Sequence, residues 1–405
     1  MTSKSYVIVG SGVFGASTAY HLSKAHPESS ITLLDRSSSF PCPLAASHDF
    51  NKIVRADYGS LFYCELALKA RELWKNDSLY KSFYHQSGMV VMDESDLGRR
   101  IIGNYKSLNE ETGSEIVGPD EMKKRYDGLF AKTDYRGVED IFVNPTSGWA
   151  EATPAVKKVI EAAVRDCTGV RLASGKTLHA IDIILCTGAG TAKLLADSAP
   201  DWKELQVMDR IAAAGVVTGV AKLNTRQQER FRKSPVFVHA VGEVQGEVLP
   251  PTPDGFLKFC VDVSFMNTSL HKGSGQMITQ PPDQEDQAQH TVSQQLKDEC
   301  ARVMKGIYGK ELDDAVFDSF RICWDGYTPN QDFIISSHPR CQNLYVATAG
   351  SFHGWKFLPI LGQYVVKLLD GELDNDLVQR WAWDRPQVGS AHEKVKPKRE
   401  LRDLI

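Results

Sequence analysis

The stretch VIVGSGVFGASTAYHLSKAHPESSITLLD, from Val7 to Asp35, decides the fold of the N-terminal region. An apolar run leads into Gly10, Gly12 and Gly15, and an apolar helical pattern follows. In this spacing the first glycine allows a tight turn, the second lets backbone N–H groups approach a pyrophosphate, and the third lets the helix pack closely. A second apolar run ends in Asp35, whose carboxylate can accept hydrogen bonds from ribose hydroxyls. The stretch therefore predicts a strand–turn–helix unit that binds a dinucleotide, either NAD or FAD.

The composition narrows the class of protein. The chain has 405 residues and 42% hydrophobic content, which is enough for two globular domains. A net charge of −4 argues against a nucleic-acid or anionic-membrane partner, and no apolar run has membrane-spanning length. Eight cysteines without a CxxC pair, and no signal peptide before the first strand, predict an intracellular, cytoplasmic protein. A peroxisomal location stays open, although the final Asp-Leu-Ile is not a peroxisomal address.

Two later segments, residues 181–190 and 344–371, repeat the pattern of an apolar strand that runs into glycines. We expect them to belong to one nucleotide-binding domain with the first stretch, so that this domain is discontinuous. We interpret residues 61–143 as mostly helical, residues 216–320 as containing strands, and the charged tail as an extended surface strap. The predicted division is a nucleotide-binding domain of 1–60, 144–215 and 321–385, a substrate domain of 61–143 and 216–320, and a tail of 386–405.

Six ordered motifs carry a family resemblance: the glycine turn, ASHDFNKIVRADYG (46–59), LWKNDSLYKSFYHQSGMV (73–90), GFLKFC (255–260), RICWDGYTPNQDFIISSHP (321–339) and ATAGSFHGWKFLPILGQYVVKLLDG (347–371). Together they resemble the monomeric sarcosine oxidase family of flavoproteins, with the closest likeness to fungal fructosyl-amine, saccharopine and N-methyl-amino-acid oxidases. The resemblance implies an α/β fold in which a Rossmann-like FAD-binding domain of the glutathione-reductase type is interleaved with an α+β substrate domain that carries an antiparallel sheet. It selects FAD as the dinucleotide.

The resemblance also implies a reaction. A secondary amine of an N-substituted or cyclic amino acid loses a hydride equivalent to the flavin, the imine hydrolyses, and O₂ becomes H₂O₂. Fructosyl amino acids and saccharopine are alternative substrates for the same mechanism. Ala382 and Asp384 stand where glycated-peptide oxidases are expected to be basic, which favours a smaller amino acid. The implied partners are this small molecule and O₂, and the implied state is a monomer.

Three cations are the expected catalytic residues. The resemblance places Lys258 where its charge assists the reaction with O₂, and it places Arg55 and Lys356 around the substrate carboxylate. Strand alternation turns Lys258 to the same face as Phe256 and Cys260, which predicts a partly buried ammonium that needs a partner. Without the resemblance, a lysine at a strand edge and solvated surface charges are the default interpretations.

Cys323 stands where the family joins FAD to the protein through a thioether, and the alternative is a buried apolar cysteine. Lys52 is assigned to flavin contacts, whereas His48 and His353 lie either beside the flavin or in ordinary loops. No cluster has metal-ligand spacing. The full set of expected cofactor contacts is Gly10, Gly12, Val13, Phe14, Gly15, Asp35, His48, Asn51, Lys52, Gly188, Cys323, Gly350, Phe352, His353, Gly354 and Lys356.

One departure from the family leaves two other functions open. Relatives carry a further strand and the start of a hairpin after the position of Asp166, beside the adenine end of FAD, and here only Cys167 intervenes before TGVRLA. Either the fold compensates, or the chain is a non-catalytic relative with impaired FAD binding. An NAD-dependent dehydrogenase is the third interpretation, but it gives no role to Cys323.

Overall fold

The computed structural model describes residues 4–163, 178–284, 289–386 and 396–405. Its strands are β1 Ser5–Val9, β2 Ser30–Leu34, β3 Asn51–Val54, β4 Tyr84–His85, β5 Met89–Asp93, β6 Glu115–Val117, β7 Ile141–Asn144, β8 Gly148–Glu151, β9 Asp182–Leu185, β10 Ala212–Lys222, β11 Val236–Val241, β12 Val244–Val248, β13 Phe256–Val261, β14 Phe265–Met266, β15 Thr268–His271, β16 Gln276–Thr279, β17 Phe317–Tyr327, β18 Ile334–Ser337, β19 Leu344–Thr348 and β20 Arg399–Glu400.

The α-helices are Val13–Ala25, Leu61–Asn76, Leu97–Ser107, Pro119–Met122, Ala152–Ala163, Thr191–Ser198, Thr225–Phe231, Gln294–Tyr308, Leu361–Asp370 and Asn375–Arg380. Short 3₁₀ helices lie at Tyr126–Gly128, Gly188–Gly190, Lys203–Leu205, Trp355–Phe357 and Leu401–Asp403. No helix in the described ranges is long and apolar enough to cross a membrane.

A five-stranded sheet holds the three predicted strand-to-glycine segments. Its order is β18-β19-β9-β1-β2, and the β2–β1, β1–β9 and β9–β19 pairs are parallel. The three segments that were predicted to belong to one domain thus contribute strands to one sheet. Because parallel strands bring their carboxyl ends to one edge, the glycine-rich turns after β1, β9 and β19 meet there.

The helices on this sheet approach each other closely. The first helix packs against Leu361–Asp370, where a Cβ on Gly362 would lie 2.1 Å from the Ser17 carbonyl oxygen. The Ser17 hydroxyl also donates to the Leu358 carbonyl at 2.7 Å and accepts from the Gly362 N–H at 2.8 Å. These contacts fix the segment that follows β19 against the first glycine turn.

A second, larger sheet has the order β20-β14-β10-β13-β12-β11-β5-β7-β6, with β17 paired to β10. Most of its pairs are antiparallel, while β5–β11 and β14–β20 are parallel. The helix Gln294–Tyr308 covers one face with Leu296, Val303 and Ile307, which are buried. Since side chains alternate along a strand, every second side chain points to the opposite face, which this helix does not cover.

Two sequence interpretations were wrong here. Residues 61–143 are not mostly helical, because they supply β4, β5, β6 and β7, and β5 pairs with the distant β11. Local hydrophobic periodicity does not reveal that two strands so far apart in the chain pair with each other.

The end of the tail is also not a surface strap. β20 pairs with β14, Leu401 and Leu404 are buried in the core, and Arg399 forms an ion pair with Glu299 at 2.6 Å. The predicted hairpin near Ser174 and the short segment after Asp166 lie outside the described residues. The predicted domain boundaries stay a prediction.

Candidate active site

The first glycine turn is built for close backbone approach. Gly10 has φ +102°, and a Cβ there would lie 2.4 Å from the Cys186 carbonyl oxygen. A Cβ on Gly15 would lie 1.8 Å from the Gly10 carbonyl oxygen, whereas one on Gly12 would meet only the Ser47 hydroxyl, at 3.5 Å. Gly10 and Gly15 are therefore required by packing, and Gly12 faces open space that a ligand can enter.

A cavity of about 790 Å³ extends from this turn to the open face of the ten-stranded sheet. It brings together most of the predicted site residues: Gly10, Gly12, Val13, Phe14, Asp35, Lys52, Arg55, Gly188, Lys258, Cys323, Gly350, Phe352, His353 and Lys356. Four predicted residues are not among those that line it: Gly15, His48, Asn51 and Gly354.

Asp35 and the turn contact each other directly. Its carboxylate accepts hydrogen bonds from the Ser11 backbone N–H at 2.7 Å and from the Ser11 hydroxyl at 2.8 Å. The carboxylate that was expected to meet a ribose thus also braces the loop after β1.

Lys258 lies on the cavity wall formed by β13, and its side chain is 3% exposed. Its ammonium donates to the Asp49 carboxylate at 2.9 Å and to the Asn51 carbonyl at 2.6 Å. Lys52 donates to the same carboxylate at 3.0 Å. Burial opposes ionisation of Asp49, but the two ammonium groups outweigh it and hold its pKa below the usual range. Asp49 is therefore a shared counter-charge for the buried Lys258 and the half-buried Lys52.

Lys356 lies across the cavity and is also buried. It donates to the Tyr58 hydroxyl and to the His353 carbonyl, both at 3.0 Å, and no carboxylate of the described residues lies within ion-pair distance of it. Burial, and then the nearby Arg55, lower the pKa of Lys356 well below its usual range. The Arg55 guanidinium stacks 4.7 Å from the Tyr58 ring centre and donates to the Asp57 carbonyl. Arg55 and Lys356 thus both contact Tyr58, the first through its ring and the second through its hydroxyl.

Cys323 lies on β17, is buried, and faces the cavity with its sulfur 3.9 Å from the Ala46 carbonyl oxygen. Two residues further along, Asp325 accepts a hydrogen bond from the Phe352 N–H at 2.8 Å, and burial raises the pKa of Asp325 to about 6. That bond holds a strained loop, because Ala349, Ser351 and Phe352 all have positive φ.

Comparison with known proteins decides the family. The family model described as FAD dependent oxidoreductase matches residues 5–368. The chain belongs to this family. Among curated relatives, L-saccharopine oxidase of Schizosaccharomyces pombe is 25% identical, with 94% of this chain and 93% of the relative covered. Monomeric sarcosine oxidase of Bacillus sp. is 22% identical over 92% of this chain and 94% of its own length.

Solved structures share the fold. A modified fructosyl peptide oxidase from Aspergillus nidulans matches with a TM-score of 0.82, 24% identity, and coverage of 100% of this chain and 99% of that one. This likeness confirms the predicted α/β fold class with an FAD-binding part and an antiparallel sheet. The family also decides between the two dinucleotides, since its cofactor is FAD, and the NAD-dependent alternative is wrong.

The residues around the turn of this FAD dependent oxidoreductase fit its cofactor. The Gly12 backbone is open to a pyrophosphate, Asp35 lines the same cavity, and the buried Ser47 hydroxyl has no hydrogen-bond partner among the described residues. An orphaned buried hydroxyl beside a glycine turn is suited to a phosphate oxygen.

The four predicted contacts that do not line the cavity have other environments. A Cβ on Gly354 would lie 2.6 Å from the Gly350 Cα, so this glycine permits a close turn. The Asn51 side-chain amide is buried with no partner among the described residues, and the His48 carbonyl accepts from Arg321. Gly15 packs on Gly10, as described above. A direct cofactor contact for these four stays a prediction.

The sequence also left four cavity residues unassigned. Sequence reasoning assigns no role to Asp49, which lies three positions before Lys52, or to Ser47, Glu247 and Asp262. Alternation offered one signal, because Lys258, Cys260 and Asp262 occupy every second position and so share a face. The Lys258–Asp49 pair, 209 positions apart, had no local signal.

Proposed function

We propose that this FAD dependent oxidoreductase is an oxidase that acts on the CH–NH group of an N-substituted or cyclic amino acid and produces H₂O₂. One observation carries the proposal: a fully buried ammonium, Lys356, faces the cavity with neutral hydrogen-bond acceptors and no carboxylate partner among the described residues. A buried cation of this kind is stabilised by an anionic ligand, and an amino-acid carboxylate is such an anion. The names of the curated relatives, which are amino-acid, saccharopine and sarcosine oxidases, support the same class of substrate.

In this proposal Lys356 and Arg55 bind the substrate carboxylate with charge-assisted hydrogen bonds. Tyr58 holds both cations in place, since Arg55 stacks on its ring and Lys356 donates to its hydroxyl. His353 receives the Tyr58 hydroxyl on Nδ1 at 3.2 Å, while its Nε2 donates to the Gln331 carbonyl at 2.8 Å. Burial and the neighbouring Lys356 lower the pKa of His353 to about 3, so that it stays neutral and orients Tyr58 without adding charge.

FAD, when bound, supplies the acceptor for the hydride equivalent of the C–H bond beside the amine and transfers the electrons to O₂. Lys258 contributes a positive charge on the β13 wall, and its ion pair with Asp49 fixes its position. The Cys323 thiol is the candidate for covalent attachment, because it is buried and faces the cavity near Ala46. Gly12, Asp35 and Ser47 are the candidates for holding the nucleotide part.

The proposed activity is tested by a peroxide-coupled screen of the FAD-saturated protein. Sarcosine, pipecolate, saccharopine and fructosyl-glycine are offered as substrates. We expect H₂O₂ from at least one of them, and the pattern decides between the small amino acids and the two alternative substrate classes. A protein that binds FAD and releases no peroxide from any of them contradicts the proposal and supports the non-catalytic interpretation.

Covalent attachment has its own test. We expect the yellow colour to stay in the pellet when the wild-type protein is precipitated with acid, and to pass to the supernatant with Cys323→Ser. Cys341→Ser, a change at a half-buried thiol that does not line the cavity, serves as the control. Colour in the wild-type supernatant means that the cofactor is not attached.

Two further properties belong to the proposal. Seven of the eight cysteines lie in the described ranges, and all seven are free thiols, which supports an intracellular location. A monomer is proposed from the likeness to monomeric sarcosine oxidase.

A further inference from the structure

The cavity has a second charged region that the proposed reaction does not use. Glu247 on β12 and Asp262, directly after β13, both line it. The two segments are neighbours, because Glu247 pairs with Cys260 and the Asp262 N–H donates to the Gln245 carbonyl at 3.0 Å. Side chains at Glu247, Cys260 and Asp262 therefore share the cavity face of the sheet.

Neither acid has a direct ion-pair partner among the residues that the structure describes. Within the ranges that the structure describes, no side chain donates a hydrogen bond to either carboxylate, and no lysine or arginine lies within ion-pair distance. The contrast with Asp49 is direct, because Asp49 has two ammonium partners at 3.0 Å or less. Burial, and then the charge of Glu247, raise the pKa of Asp262 well above its usual range, while Arg55 opposes this effect. Arg55 acts on Asp262, and Glu247 acts on Lys356, only through longer-range electrostatics, so both carboxylates can still accept a direct partner from a ligand.

Asp262 lies further along the sheet than Lys258. Asp262 follows Lys258 by four positions on the same face, which corresponds to roughly 13 Å at the rise of a β-strand. Arg100, a cation at the same wall, is already paired with Asp96 at 2.8 Å. The cavity therefore has a cationic region at Lys356 and Arg55 and an anionic region at Glu247 and Asp262.

We propose that Glu247 and Asp262 bind a second, cationic amino group of the substrate, so that the preferred substrate is an amino acid whose N-substituent ends in an ammonium. This inference rests on the proposed function, since it assumes that the cavity binds an amino-acid substrate. Its selectivity comes from complementarity, because an uncharged tail leaves the two acids without a partner and an anionic tail repels them.

The test uses thioacetates, in which sulfur replaces the reacting nitrogen so that no oxidation follows. Binding of (aminopentylthio)acetate, (pentylthio)acetate and (carboxypentylthio)acetate to the FAD-saturated protein is measured by titration calorimetry. We expect the aminopentyl compound to bind about 10-fold tighter than the pentyl compound, and the carboxypentyl compound to bind most weakly.

Substitutions of the two acids test whether they cause the preference for the aminopentyl compound. Asp262→Asn and Glu247→Gln should each remove most of the preference for the aminopentyl compound and change the affinity for (pentylthio)acetate less than about 2-fold. The unchanged pentyl affinity shows that the variants are folded. Glu243→Gln, at an exposed acid in the turn between β11 and β12, is the matched control and should retain the full preference.

Two results overturn the inference. One is equal affinity of the wild-type protein for the aminopentyl and pentyl compounds. The other is tighter binding of a thioacetate that carries a fructosyl group, because the acids would then recognise sugar hydroxyls. Both results are independent of catalysis, so failure of the peroxide screen and failure of the cation preference are distinguishable.

Discussion

The two buried lysines of the cavity differ in their partners. Lys258 has a carboxylate at 2.9 Å, which it shares with Lys52, whereas Lys356 has only a tyrosine hydroxyl and a backbone carbonyl at 3.0 Å. Both are buried almost completely. Within the described residues, Lys258 therefore has a counter-ion and Lys356 has none, which leaves Lys356 able to bind an anionic ligand.

This difference separates charges that stabilise the structure from charges that bind. A buried ion pair loses much of its stabilisation when one partner is removed, because the remaining charge has neither water nor a counter-ion. A buried charge without a counter-ion already destabilises the protein, so removing it costs binding and not stability. The comparison predicts that removing the counter-ion of Lys258 lowers the stability of the fold, whereas removing the charge of Lys356 weakens ligand binding.

The largest effect is expected from Asp49→Asn. It leaves the buried Lys258 and the half-buried Lys52 without a carboxylate, and we expect the free energy of unfolding to fall by about 3–5 kcal/mol, measured by denaturant unfolding at pH 7. The pKa of Asp49 is lowered in the folded state, so its contribution is fully present above the ordinary aspartate pKa and is lost as pH falls towards the lowered value.

Asp120→Asn is the matched control for that prediction. Its ion pair with Lys123 is exposed, with the Asp120 side chain at 92% exposure, and the change should cost less than about 1 kcal/mol. Equal losses for Asp49 and Asp120 would show that the shared carboxylate is not a structural counter-charge.

Lys356→Met should have the second largest effect, on binding alone. We expect the affinity for carboxylate ligands to fall about 10- to 100-fold, the range of a charge-assisted hydrogen bond, while the free energy of unfolding stays equal or rises. The lowered pKa of Lys356 means that the folded protein releases a proton which the unfolded chain keeps, so wild-type stability should rise with pH towards the ordinary lysine pKa.

The variant should lose that pH dependence. Lys69→Met, at an exposed lysine paired with Glu65, is the control and should alter neither binding nor stability by more than about 0.5 kcal/mol. A large loss of stability in Lys356→Met with unchanged binding would reverse the assignment of the two lysines.

The smallest effect is expected from Asp325→Asn, at another cavity charge without an ion-pair partner in the described residues. Burial raises the pKa of Asp325 to about 6, so its contribution to stability is complete below the ordinary aspartate pKa and is lost as pH rises through 6. Asparagine imitates the protonated form and keeps an acceptor for Phe352. At pH 8 we expect the variant to be more stable by about 1–3 kcal/mol, with no difference below pH 4. A constant difference at all pH values would contradict a titrating carboxyl.

Local sequence predicted the nucleotide side of the molecule well. The spacing of Gly10, Gly12 and Gly15 reflects contacts within about twenty residues, and the strand before them is where periodicity placed it. A backbone turn that only glycine can adopt leaves a sequence signature. The segments that repeat that signature supply β9 and β19, and β1 pairs with β9 and β9 with β19.

The other side could not be predicted in the same way. Strand β5 pairs with the distant β11, and Asp49 pairs with Lys258, which is 209 positions away. A charge's function depends on the partner that the fold brings to it. For Lys258 and Lys356 the family resemblance indicated the positions, but only the structure distinguished the paired lysine from the unpaired one.

The most direct test of this account is the proton balance of carboxylate binding. (Methylthio)acetate is titrated into the FAD-saturated protein at pH 8 in buffers of different ionisation enthalpy, with Lys356→Met as the comparison. We predict net proton uptake by the wild-type protein, because the bound carboxylate raises the lowered pKa of Lys356, and none by the variant. Binding without proton uptake, at an affinity that Lys356→Met does not change, would contradict the claim that this unpaired lysine receives the substrate.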